Sequence, residues 1–95
     1  MRNHPPAKID VEVEAEGEFR VRVTEGNSAS SHRVTVSTRD YERIAGGKVS
    51  RQELVKRSFE FLLEREPKES ILAQFDLSVI GRYFREYESE MKRRL

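Results

Sequence analysis

The chain contains no cysteine, so disulfide scaffolds and zinc–thiolate centres are excluded. It also has almost no net charge, with 18 Lys and Arg against 17 Asp and Glu. Attraction of the whole molecule to nucleic acid or an acidic membrane is therefore not indicated, and any such binding needs a local patch. No apolar run approaches the ~20 residues that span a bilayer. The opening MRNHPPAK places no apolar segment behind its charge, as a signal peptide requires. A cytoplasmic location is the expectation. The 2 histidines are His4 and His32, and neither stands at ligand spacing from a carboxylate on a helix, so no metal centre is expected. Gly46-Gly47-Lys48 lacks the upstream glycine and the helix start of a phosphate loop, and Val49 follows Lys48. No cofactor is expected either.

What is present fits a single domain: 95 residues, 36% hydrophobic and 37% charged. That length supports one core, but not a core and a deep catalytic cavity together. Abundant charge with few Asn and Gln leans towards a heat-adapted source. Residues 1–7, with Pro5-Pro6, read as a disordered lead-in, and residues 8–95 as one α+β domain.

The stretch Ser50 to Glu66, SRQELVKRSFEFLLERE, carries the strongest signal. Ser50 and Glu53 form a capping box. Leu54, Val55, Phe59, Phe61, Leu62 and Leu63 then recur at helical spacing, and Pro67 stops the helix at Glu66. A face this wide needs more than one neighbour to cover it.

Ahead of this core helix the period is two. Ile9, Val11, Val13 and Ala15 alternate with Asp10, Glu12, Glu14 and Glu16. Gly17 marks a turn, and Phe19, Val21 and Val23 alternate with Arg20, Arg22 and Thr24. Keeping both apolar sets on one face predicts Glu14 opposite Arg20 and Glu12 opposite Arg22, a solvated face of mutually neutralising charge. Glu25 to Ser31 reads as a polar loop, and His32 to Ser37 as a third strand with Val34 and Val36 inward. Ser37 or Thr38 caps a short helix through Ile44, which Gly46-Gly47 ends. Ser70 starts a brief helical turn with Ile71, Leu72 and Phe75. Asp76 or Ser78 then opens a last helix to the C-terminus, striped by Ile80, Tyr83, Phe84, Tyr87, Met91 and Leu95. The expected fold is a three-stranded antiparallel meander, packed on one face by the core helix and the C-terminal helix, with short connecting helices.

From HRVTVS through GGKVSRQELVKRSFEFLLEREPKESILAQFDLSVIGRYF, more than half of the chain and so consistent with one domain, the sequence resembles a group of small uncharacterised bacterial proteins. The resemblance brings no activity and no site residues. It implies a bacterial cytoplasmic setting.

For catalysis the candidate is His32, preceded by Ser30 and Ser31. A nucleophilic triad also needs a carboxylate on the ring and an oxyanion hole, which this junction does not supply, so a structural role at a strand end is expected. The chain is read as a non-enzyme. Two binding readings follow. The first is a protein-protein interaction or assembly module, with Tyr83, Tyr87 and Met91 as contacts to another protein or to a second copy in a homodimer. An open sheet edge offers it a second route, by strand addition. The alternative is a nucleic-acid-binding regulator. Ile71 to Phe75, a turn, and the helix from Val79 approximate a helix-turn-helix, with Arg82 and Arg85 on the exposed face and Lys92, Arg93 and Arg94 on phosphates. Glu86, Glu88 and Glu90 in the same helix oppose that reading.

Overall fold

Alternating apolar residues build three consecutive strands, β1 (Lys8–Ala15), β2 (Glu18–Glu25) and β3 (Ser28–Thr35), in a computed structural model that describes residues 6–95. Of the lead-in expected over residues 1–7, residues 1–5 lie outside the described residues. Helices α1 (Thr38–Ile44) and α2 (Arg51–Leu63) follow, then a single 3-10 turn (Lys68–Ser70). The chain closes with β4 (Gln74–Asp76), α3 (Ser78–Tyr83) and α4 (Tyr87–Arg94). The fold is α+β, with a mixed sheet in the order β1-β2-β3-β4. Its fourth strand lies parallel to β3, pairing Val34 with Phe75. This corrects the three-stranded antiparallel expectation. The segment read as a brief helical turn joins the sheet instead, because Phe75 in an extended backbone reaches the core while β3 satisfies its amides.

The hairpin register also differs from the expectation. Glu12 stands opposite Arg20 and Asp10 opposite Arg22, with an irregularity between Val13 and Ala15. A two-residue shift leaves the valines on the core face, so the pattern alone does not separate the two registers. The expected Glu14–Arg20 ion pair forms nonetheless, diagonally, at 3.2 Å. At the turn, Gly17 has a φ of 73°. A Cβ there would stand 3.2 Å from the Val36 carbonyl oxygen, and the Val36 amide donates to the Gly17 carbonyl at 2.9 Å. Positive φ and close approach both favour glycine.

β3 begins at Ser28, four residues earlier than expected, because the chain reverses within Gly26-Asn27 and Gly26 takes a φ of 58°. Strand pairing uses backbone groups alone, so the small polar residues of a would-be loop extend the ladder. The β1 edge has no strand beside it among the described residues. Its acidic row and the Gln52 side chain, which donates to the Val11 carbonyl at 2.8 Å, blunt it against strand addition.

Of the four predicted helix starts, the first two form as expected; Ser70 ends the 3-10 turn instead of capping a helix, and α3 begins behind Leu77 with no side-chain cap. Ser37 Oγ accepts from the Asp40 amide, and Ser50 Oγ accepts from the Glu53 amide, each at 3.0 Å. The return bond of the box does not form, since Glu53 instead pairs with Arg57 at 2.8 Å. Regular helix α2 ends at Leu63, and residues 64–66 continue as a tightened turn before Pro67. Leu54, Val55, Phe59, Phe61 and Leu62 of α2 are buried with Phe19, Val21, Val23 and Val34 of the sheet. The opposite sheet face is charged and exposed.

The last helix does not run unbroken. Phe84 is extended, at φ −128° and ψ 99°, which places its ring edge-on to Phe61 with centroids 6.0 Å apart. Apolar spacings of three and four survive the break, so the sequence stripe reads as one helix where there are two. After the break, Tyr87 and Met91 turn into the core. Arg43 of α1 holds Glu88 of α4 at 2.9 Å.

Candidate functional site

The break separates the residues expected to contact a partner. Tyr87 is 2% exposed and Met91 0%, whereas Tyr83 is 69% exposed. Tyr87 and Met91 are therefore core residues, and assigning them to a partner surface is corrected. Ser58 Oγ donates to the Leu54 carbonyl at 2.8 Å, so the Tyr87 hydroxyl is the donor in its own 2.6 Å contact with Ser58. Burial pushes that hydroxyl above the ordinary tyrosine range, outweighing the Ser58 contact.

The helix-turn-helix layout is likewise not formed. Residues 74–76 are a strand, and α3 is one six-residue helix. The basic residues assigned to phosphates are largely committed. Arg94 pairs with Glu64 at 2.7 Å and with Glu90 at 3.2 Å, Lys92 lies 3.9 Å from Glu88, and Arg93 pairs with Glu90. Arg82 and Arg85 are exposed and outside any ion pair among the described residues.

Tyr83 stands on the lip of a groove of about 400 Å3, a volume within the ordinary range for binding sites. Five segments build it. The end of α2 with the turn after it gives Leu62 and Glu66, the 3-10 turn and its exit give Ser70, Ile71 and Leu72, β4 gives Phe75, α3 gives Val79, Ile80 and Tyr83, and the helix break gives Phe84. Leu72 is 47% exposed. Leu72 and Tyr83 are thus two of the three large hydrophobics on the described surface, the third being Val13 on the blunted edge. A wider depression of about 640 Å3 lies between residues 6–10 and α2, but charged Asp10, Lys56, Glu60 and Glu64 line it.

Specific polar contacts set the walls. Asp76 Oδ1 accepts from the Thr35 hydroxyl at 2.6 Å, and its Oδ2 accepts from the Ser78 amide at 3.1 Å and hydroxyl at 2.7 Å. Burial alone would raise the Asp76 carboxyl, but these bonds outweigh it and hold the group below its ordinary range. They tie the start of α3 to β3. On the other wall, the Leu72 carbonyl accepts a 2.8 Å hydrogen bond from His32 Nδ1. Because a carbonyl only accepts, Nδ1 carries a proton; Nε2 lies 2.8 Å from the Ser30 hydroxyl and in the neutral ring accepts from it. Ser30 and His32 do come within bonding distance, which their spacing in sequence did not lead us to expect. The ring, however, is 4% exposed, packs 5.3 Å from Phe59, and turns its second nitrogen to a main-chain carbonyl rather than a carboxylate. Its evident effect is to fix the loop that displays Leu72. Lys68 anchors the same loop from a buried position, at 2.6 Å from Glu69 and 3.3 Å from Glu25.

Glu66 is the groove's one carboxylate. Burial among apolar neighbours raises it above its ordinary range, and no ion pair compensates it among the described residues. Elsewhere among the described residues, no group of three or more His, Asp or Glu is placed to hold a metal ion, and no helix is long and apolar enough to cross a membrane.

Sequence reasoning singled out Tyr83 but missed Leu72 and Glu66. In sequence Leu72 reads as part of a helical turn, and Glu66 as one more surface charge. The chain matches no protein-family model, no curated protein and no solved structure, so the functional reading rests on its own geometry.

Proposed function

We propose that this chain is a non-enzymatic protein-protein interaction module of the bacterial cytoplasm, and that its docking site is the groove between the 3-10 turn and α3. The observation that carries this is the convergence of Leu72 and Tyr83 on one groove. Single exposed apolar side chains are ordinary, whereas apolar lips around an apolar floor mark a contact surface. A tyrosine at the edge of such a floor suits the role, because its ring supplies contact area while its hydroxyl stays wet.

Capture on immobilised protein tests the reading, comparing wild type with the Leu72→Glu/Tyr83→Glu variant, each before and after nuclease treatment. Both side chains are exposed enough that the variant keeps its fold, which its melting curve checks. The expected result is a discrete protein partner that survives nuclease and whose recovery falls at least about tenfold in the variant. Unchanged recovery would remove the groove from the interaction. Recovery abolished by nuclease would turn attention to Arg82 and Arg85 and a nucleic-acid ligand.

A further inference from the structure

Most acidic side chains of α2 and of the chain that follows it are neutralised within the chain, the exposed Glu60 being one without an ion pair among the described residues. Glu53 pairs with Arg57, Glu64 with Arg65 and Arg94, Glu69 with Lys68, Glu86 with Arg65, Glu88 with Arg43 and Lys92, and Glu90 with Arg93 and Arg94. Glu66 breaks this pattern. The cations nearest to it in sequence are turned elsewhere: Arg65 lies over the Phe61 ring at 3.6 Å and pairs with Glu86 at 2.9 Å, and Lys68 is buried between Glu25 and Glu69. Arg82 and Arg85 flank Tyr83 in sequence but do not line the groove. A carboxylate partly withdrawn from water without a counter-ion is unfavourable in the free protein. An incoming cation offsets that cost, and the apolar walls around the pair strengthen the attraction by excluding water.

We infer that the groove takes an apolar segment of another protein that carries a lysine or arginine, its aliphatic or aromatic part lying between Leu72 and Tyr83 and its cation meeting the Glu66 carboxylate. This rests on the interaction-module reading and specifies the partner's chemistry. A second copy of this chain is the poorer occupant, because a two-fold contact through the groove would bring the two Glu66 carboxylates into one interface.

Three small probes of equal chain length separate the contributions: hexylammonium, hexanol and hexanoate, each titrated into isotopically labelled protein while the Leu72 and Ile80 methyl resonances are followed by NMR. Hexylammonium is expected to shift these signals at about tenfold lower concentration than hexanol, with hexanoate weakest. In Glu66→Gln, hexanol binding should persist and the preference for the amine should vanish. Equal affinity for amine and alcohol in the wild type, or a preference that survives Glu66→Gln, would overturn the cation inference and leave the apolar groove standing. If none of the three probes moves the groove's signals, the groove is not a binding site and both readings fall. Glu66→Gln removes a charge that no partner stabilises, so it should fold as wild type, and its amide spectrum checks this.

Discussion

Replacing Tyr87 by glutamate should unfold the protein at neutral pH. The ring is fully enclosed, stands edge-on to Phe61 at 5.3 Å between centroids, and donates its hydroxyl proton to Ser58. The cation within electrostatic reach of that depth, Arg43, is already held by Asp40 and Glu88. A carboxylate there must be buried charged, be buried protonated, or draw α4 away from α2, and each course costs several kcal/mol. A domain of this size has about 5–14 kcal/mol of stability to lose, and the variant also forfeits the aromatic packing. Circular dichroism and a urea melt would read the outcome. A second variant isolates the hydrogen bond: Tyr87→Phe keeps the ring and leaves Ser58 one bond short, for an expected loss of about 1–2 kcal/mol. A Tyr87→Glu protein that melts like wild type would place Tyr87 on the surface and contradict the packing described here.

Phe59→Ala should be nearly as damaging. Phe59 is 0% exposed and sits where α2 meets the sheet, with His32 at 5.3 Å and Phe75 at 6.0 Å between ring centroids. Large-to-small changes at such positions cost about 3–5 kcal/mol, through lost transfer energy and the cavity left behind. For a chain this long that corresponds to a fall in melting temperature of roughly 15–30 °C. The position also bears on the groove. Phe59 is the surface on which His32 rests, and His32 holds the Leu72 carbonyl. At a temperature where the variant remains folded, amide exchange should therefore quicken at Leu72 and Ala73 more than in the β1–β2 hairpin. Uniform quickening would show that His32 does not anchor that loop separately from the rest of the core.

The parts of this molecule that could be read from the sequence are those fixed by neighbours close along the chain. The Ser37 and Ser50 caps, the two-residue alternation of β1 and β2 and the stop at Gly46-Gly47 each depend on a few adjacent residues, and all are present. What escaped is set over distance. β4 is three residues long and exists only because β3, some forty positions earlier, lies beside it. The hairpin register turned on an irregularity between Val13 and Ala15 that leaves the apolar alternation intact. In the C-terminal stripe, one extended residue, Phe84, leaves Tyr83 outside and sends Tyr87 inside, with no change in the spacing of apolar residues. The groove compounds these effects, since five segments meet in it and Glu66 becomes an unpaired carboxylate on an apolar wall only when they are assembled.

The central claim is that a partner docks between Leu72 and Tyr83, and the most direct test is site-specific photocrosslinking. A benzophenone amino acid replaces Tyr83 in one protein and Arg22, on the exposed sheet face, in another. After irradiation in cells, position 83 should yield a discrete crosslinked protein and position 22 should not. The same adduct from both positions, or an adduct from position 22 alone, would contradict docking at the groove.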